Sequence, residues 1–412
     1  MSNKAALTTV FLAVLIDLMG FGIVLPLLPF YASTFKASPV AIGLLYSIYS
    51  LAQLIFSPIW GGFSDRIGRR PIMLMSTLGA SLAYLRFGLA HSFILLFFSR
   101  LIAGRMGGNI STAQAYVADV TSPEERAQGM GLVGAAFGIG FVMGPAIASF
   151  VIHPAFLKLF RIPLQNKYAV PGFVADSLSF LSFLLVLFKL PETAQSRGGD
   201  PERILKSSIF TKSFWQSIVS QKSSGMKYLF PMLMGSVFLY SFAQSSLYSS
   251  FPLFCEARLK LSAEKVGALY AYLGLIAVIV QGGLIKNLVK RFGEQRLFLM
   301  GSVLMVTGFA LVPLAHSMKF LILFLALLSL GGSLMGPTLN SLISKEADPS
   351  KIGRAMGTSQ GMAALGRVAG PTWGGFLYGF SPGIPFLATA SCLSLTILVG
   401  RQLLRHKHLP SN

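Results

Sequence analysis

Long apolar blocks separated by short polar runs make up almost the whole chain. They recur at about 7–31, 40–62, 71–90, 93–117, 127–152, 171–190, 229–254, 264–286, 296–315, 319–343, 352–378 and 384–403. Each is roughly the 20 residues that a helix needs to cross a hydrocarbon core of about 30 Å. Lipid offers no partner to a bare backbone N–H or C=O, so the blocks are expected to be helices. The first exceeds a signal-peptide core and contains Asp17, and it reads as a span. Residues 191–228 break the pattern with Arg197, Asp200, Arg203, Lys206, Lys212 and Lys222. The expected fold is an all-α integral membrane protein of twelve transmembrane helices in two six-helix bundles, 1–190 and 229–412, around a central cavity. The cytoplasmic connecting loop at 191–228 is either a plain linker or, near 213–220, a short interfacial helix with Phe214 and Trp215 toward lipid.

A repeat underlies this division. At a constant offset of 226 residues, Pro123, Met130, Gly131, Gly140, Val142, Gly144 and Pro145 meet Pro349, Met356, Gly357, Gly366, Val368, Gly370 and Pro371. Parallel repeats of six helices imply bundles related by an axis along the membrane normal, with a solute site between them near the midplane. Gly140, Gly144 and Pro145, with Gly370 and Pro371, are expected to serve helix packing: small residues let helices approach, and proline bends a helix where neighbours cover the freed carbonyl.

Composition agrees: 53% of the 412 residues are hydrophobic and 12% charged, against about 25% charged in soluble domains. The net charge of +20 suits nucleic acid as a partner only until it is sorted by loop. About 22 Lys and Arg then fall inside and about 8 outside, a bias that sets orientation. Both termini are therefore expected to be cytoplasmic, in a plasma (inner) membrane, with the lipid bilayer as partner and no nucleic acid. Cys255 and Cys392 suggest neither a disulfide framework nor a thiolate metal site. No nucleotide-binding loop, zinc spacing or nucleophile elbow occurs. No cofactor, metal or enzymatic chemistry is expected.

The strongest local signal runs from Gly61 through Asp65-Arg66-Ile67-Gly68-Arg69-Arg70 to Pro71. It combines a tight turn at Gly68, an acid at a helix end and a cluster of arginine donors. Asp65, Arg66, Arg69 and Arg70, with Asp119 and Arg126, are candidates for a conformational latch; setting topology is the alternative role. The second half has a worn copy, Gly282-Gly283 to Lys290-Arg291-Phe292-Gly293 and Arg296, which lacks the acid, so the latch is expected to be asymmetric.

Ionisable residues within spans are costly, about 2.5 to 3.5 kcal/mol each on the mildest scale, and therefore mark function. Asp17 lies roughly 15 Å from the inner face, and Arg100 and Arg105 roughly 10 and 18 Å from the outer one. A charge pair is within reach, and a carboxylate alternating between an arginine and a proton is a proton-coupling device; a static salt bridge is the alternative. Arg86, Asp176 and Arg367 are weaker candidates. Gln53, Asn109, Gln244 and Tyr248, with Tyr272, Gln281 and Asn340, suggest an amphipathic cavity for a lipophilic small-molecule substrate.

These motifs resemble the major facilitator superfamily, and in particular its twelve-helix drug:proton antiporters, the tetracycline-efflux proteins among them. The likeness runs from Leu15-Ile16-Asp17 and Pro26–Pro29 through the Asp65–Arg70 loop to Ala118-Asp119 and Lys290–Glu294, and the Arg100–Gly104 element resembles an R-x-x-x-G motif of proton-coupled members. The resemblance implies alternating access, protons and a lipophilic solute as partners, and importance for Asp17, Gln53, Asp65, Arg70, Arg100, Asp119 and Gln281; a monomer is expected. It also sets a limit: Ala83, Ala277 and Met305 stand where tetracycline carriers have an acid, a histidine and an acid, so metal-tetracycline exchange is not implied. Ala148-Ser149 likewise replaces the final glycine pair of the antiporter signature. A uniporter or importer of a metabolite, and a transport-dead lipid-handling or receptor protein, are the alternatives.

Overall fold

The structure, a computed structural model, describes residues 3–107, 109–122, 126–193, 211–219, 228–347 and 352–406. Among them every regular element is helical. In chain order these are α1 (Asn3–Val24), α2 (Leu28–Thr34), α3 (Pro39–Ile67), α4 (Arg69–Gly88), α5 (Phe93–Met106), α6 (Asn109–Val120), α7 (Arg126–Val151), α8 (Pro154–Leu159) and α9 (Val170–Lys189). They continue with α10 (Lys212–Val219), α11 (Leu229–Leu259), α12 (Ala263–Ile279), α13 (Ile285–Phe292), α14 (Glu294–Leu311), α15 (Met318–Glu346), α16 (Ile352–Tyr378) and α17 (Ile384–His406). A π segment, Val280–Leu284, joins α12 to α13.

Among the described residues nine helical stretches are long and apolar enough to cross a membrane. α4, α11 and α16 have the length but less apolar character: α4 carries three arginines, α11 a run of serines and α16 many glycines. The first expected span ends early, because Pro26 follows the last turn of α1 and the chain restarts as α2. The fourth is broken at Gly107 between α5 and α6.

Contacts divide the chain into two compact units. Unit 1 is Met1–Ser38, Leu44–Leu205 and Leu261–Tyr272; unit 2 is Pro39–Gly43, Lys206–Lys260 and Leu273–Asn412. Unit 1 is built on α1 against α7 and α4 against α9. The first contact needs the glycines of the repeat: a Cβ on Gly144 would fall 2.6 Å from the Gly22 backbone, and one on Gly140 2.7 Å from Leu18. Unit 2 repeats it with α16 against α11, where a Cβ on Gly370 would meet the Phe242 carbonyl at 2.4 Å. There the Pro371 carbonyl accepts a bond from the Ser249 hydroxyl at 2.8 Å, which ties α11 to α16 at the proline.

Within the connector, α10 turns Phe214 inward, 6% exposed, and Trp215 outward, 50% exposed. Only one ring of the expected pair therefore faces out. The long loop after α7 is also ordered. The rings of Phe150, Phe156 and Phe160 form a ladder with centroids 5.3 and 4.6 Å apart, and His153 Nδ1 accepts from the Ala155 amide at the start of α8.

Candidate functional site

In unit 1, Asp17 sits near the middle of the α1 span, half-buried, with Gly20 and Phe21 one turn on and on the same face. That face meets two tyrosines. A Cβ on Gly20 would lie 2.8 Å from the Tyr84 ring of α4, and the Phe21 and Tyr49 rings are 5.0 Å apart. Arg100 of α5 completes the group, its guanidinium 4.6 Å from the centre of the Tyr49 ring.

The R-x-x-x-G spacing accounts for this placement. Residues four apart share a helix face, and a Cβ on Gly104 would stand 2.2 Å from the Tyr49 carbonyl oxygen. Gly104 thus lets α5 touch the α3 backbone, which seats Arg100 on the tyrosine ring one turn away. Arg100 is 2% exposed and its Nε has no hydrogen-bond partner. Among the described residues no carboxylate lies within 4.0 Å of it. The expected Asp17–Arg100 contact is therefore replaced by an indirect arrangement: Tyr84 lies within electrostatic range of both charges and of Tyr49. Arg105 goes elsewhere. It is exposed, 5.0 Å from the Phe56 ring, and its carbonyl accepts from the Trp60 indole at 2.6 Å.

The expected cavity residues separate in the same way. Gln53 donates to the Gly107 carbonyl at 3.0 Å, serving the break between α5 and α6. Tyr240, Gln244 and Tyr248 share one face of α11; Tyr240 donates to the Gly332 carbonyl at 3.3 Å. Tyr248 is in electrostatic range of Arg367. Gln281, in the π segment, and Asn340 are exposed, while Tyr272 is half-buried in the stretch that clusters with unit 1. Asn109 opens α6, but its side chain lies outside the described ones. Asp176 accepts from Ser81, tying α9 to α4.

The Gly68 loop forms a closed network inside unit 1. Gly68 has φ +107°, a conformation that excludes other residues. Arg69, just after it, pairs with Asp65 and, at 3.0 Å, with Asp119 at the end of α6. Partial burial disfavours the Arg69 cation, but the bonds it donates to Asp119 and Asp65 outweigh this and raise its pKa. Arg70 donates to the Leu187 carbonyl at 2.7 Å. A residue unforeseen from the sequence, Glu192, accepts from the Arg69 and Arg70 amides at 2.8 and 3.1 Å and so caps α4. Arg66 is exposed. Arg126 begins α7 with its side chain outside the described ones, as are residues 124 and 125.

In unit 2 the worn copy has Lys290 where the first copy has Asp65, but an acid follows its glycine. Gly293 has φ +77°, and Glu294 follows it. Its carboxylate accepts from Ser341 and from Lys345 of α15, each at 2.6 Å. Lys345 stands 226 residues after Asp119, the offset of the internal repeat. The same strut thus occurs twice with its charges exchanged: Arg69 to Asp119, and Glu294 to Lys345.

Paired glycine-seated helices, charged struts at their ends and isolated charges within apolar helices define a polytopic membrane protein. The Major Facilitator Superfamily model matches residues 10–371 and again 282–407, and the chain belongs to that family. It is 29% identical to the class B tetracycline resistance protein of Escherichia coli over 94% of both chains. It is also 29% identical to human major facilitator superfamily domain-containing protein 10, covering 90% of this chain and 86% of that one. Multidrug resistance protein 2 of Bacillus subtilis is 27% identical over 91% and 89%. The crystal structure of the human organic anion transporter MFSD10 superposes with a TM-score of 0.70 at 25% identity, over 97% of this chain and all of that one. An inward-facing bacterial homolog of Spinster, 16% identical, gives 0.78 over 99% of both and shares the fold. The protein is therefore a multi-pass membrane protein of a transporter family.

Proposed function

We propose that the protein is a proton-coupled antiporter that exports lipophilic, drug-like compounds from the cell by rocking of two six-helix bundles, residues 1–190 and 229–412. It works as a monomer in the plasma membrane with both termini cytoplasmic. The observation that carries this is Asp17, an isolated carboxylate midway along an apolar helix, on the face that meets Tyr84 and Tyr49 beside Arg100. A carboxylate there costs too much to persist without a task. Loading it with a proton neutralises the charge, and a membrane potential of 100 mV adds about 2.3 kcal/mol per charge moved. Relatives named for tetracycline and multidrug resistance support the cargo class.

The test is ethidium efflux from vesicles under an imposed pH gradient. Asp17→Asn is expected to lower gradient-driven efflux at least tenfold, about 1.4 kcal/mol or more in the driven step; wild-type efflux in that variant would refute the coupling. A second reading, transport of organic anions without proton exchange, rests on Arg100. A buried guanidinium with no acid beside it suits an anionic cargo, and one relative is an organic anion transporter. Carboxyfluorescein uptake that needs Arg100 but ignores both the gradient and Asp17→Asn would favour this reading.

A further inference from the structure

We infer that unit 2 holds an anionic phospholipid by its phosphate, in a cavity of about 660 Å³ where the ends of α11, α13, α14, α15 and α17 meet. The geometry starts with α13, whose sides differ sharply. Ile285, Leu288, Val289 and Phe292 pack on the apolar cluster of Val280, Leu297 and Leu334. Lys286, Asn287, Lys290 and Arg291 are exposed. Lys290 and Arg291 reach the cavity wall, where Arg296 from the first turn of α14 and Lys345 from the last turn of α15 join them.

Two acids, Glu294 and Glu346, share the lining with these four cations. Lys345 is already neutralised by Glu294 at 2.6 Å, and Glu346 offsets one more positive charge, so a surplus of two positive charges remains among Lys290, Arg291 and Arg296. The wall supplied by α11 and α17 is of the opposite kind, with Leu229 and Leu404 half-exposed over the buried Leu233 and Leu403. A basic corner beside a leucine wall, at the ends of membrane helices, matches both parts of an anionic glycerolipid: the phosphate meets the cations and the upper acyl chain lies on the leucines. A free phosphate ion leaves the leucine wall unused, and a zwitterionic headgroup brings its own cation, which cancels the attraction.

Native mass spectrometry of the full-length protein in detergent, with phosphatidylglycerol and phosphatidylcholine in equal amounts, tests this. Wild type is expected to retain phosphatidylglycerol selectively. Each of Lys290→Gln, Arg291→Gln and Arg296→Gln should lower that preference about fivefold. All three cations are exposed, so the triple variant should melt with wild type and lose the preference altogether. Lys158→Gln, Arg161→Gln and Lys167→Gln, in the loop after α7, should leave it intact. A triple variant that keeps the preference overturns the assignment. So does an equal loss in the loop variants, or displacement of the lipid by inorganic phosphate alone.

Discussion

The Arg100 site shows how a single missing side chain places a charge. Gly104 has no Cβ, α5 closes on the Tyr49 carbonyl, and the guanidinium one turn away comes to rest on the Tyr49 ring. Gly104→Ala adds an atom 2.2 Å from that oxygen, so α5 must retreat, at a cost of about 1 to 3 kcal/mol. A lower melting temperature in detergent, with a matching loss of transport, is the expected result; a variant that melts and transports as wild type would contradict the contact. Arg100→Lys should behave differently, keeping stability but losing transport, because an ammonium does not stack as a planar guanidinium does. The sequence marks Arg100 and Gly104 by their spacing. Tyr49 and Tyr84 carry no such mark, since a tyrosine in an apolar block reads the same whether it faces lipid, a neighbouring helix or a charge.

At the scale of elements, the two struts use one backbone device with opposite charges. In each, a glycine at positive φ turns the chain into a new helix, and the next residue reaches the end of a helix further on. Glu294 also has the better polarity, an acid in the first turn of α14. Lys345 is 67% exposed, so Glu294→Gln alone should cost no more than about 1 kcal/mol. Glu294→Lys should cost more, by placing two cations together, and adding Lys345→Glu should recover most of the loss. A double-mutant cycle on melting measures the coupling, and purely additive losses would mean that the strut contributes nothing. The motif does not mark this pair, because its acid, Asp65, precedes the glycine whereas Glu294 follows it, and only the structure brings Glu294 to Lys345. Glu192 is unmarked for another reason. It caps α4 from 123 residues away, a distance over which no periodicity carries information.

For the whole molecule, the apolar surface decides where the chain resides. On α9, Phe180, Leu181 and Phe188 are exposed at 46, 49 and 74%, a face that water would disfavour and lipid accepts. Leu181→Asp, at the middle of that helix, should cost about 2.5 to 3.5 kcal/mol of insertion, read as a smaller alkali-resistant membrane fraction; Asn166→Asp, in the exposed loop before α9, should have no effect. The sequence by itself determined the membrane helices, the internal repeat and the family. Block length, glycine-proline placement and loop charge are local or periodic properties, and the bilayer imposes them on any chain that crosses it. Which side chains meet was decided only by tertiary structure: Arg100 on Tyr49 instead of Asp17, Glu192 on α4, Glu294 on Lys345. Those choices depend on how closely two helices approach and how each is rotated. Both are set by van der Waals contact at a few glycines and by where a helix breaks, and neither leaves a period in the sequence.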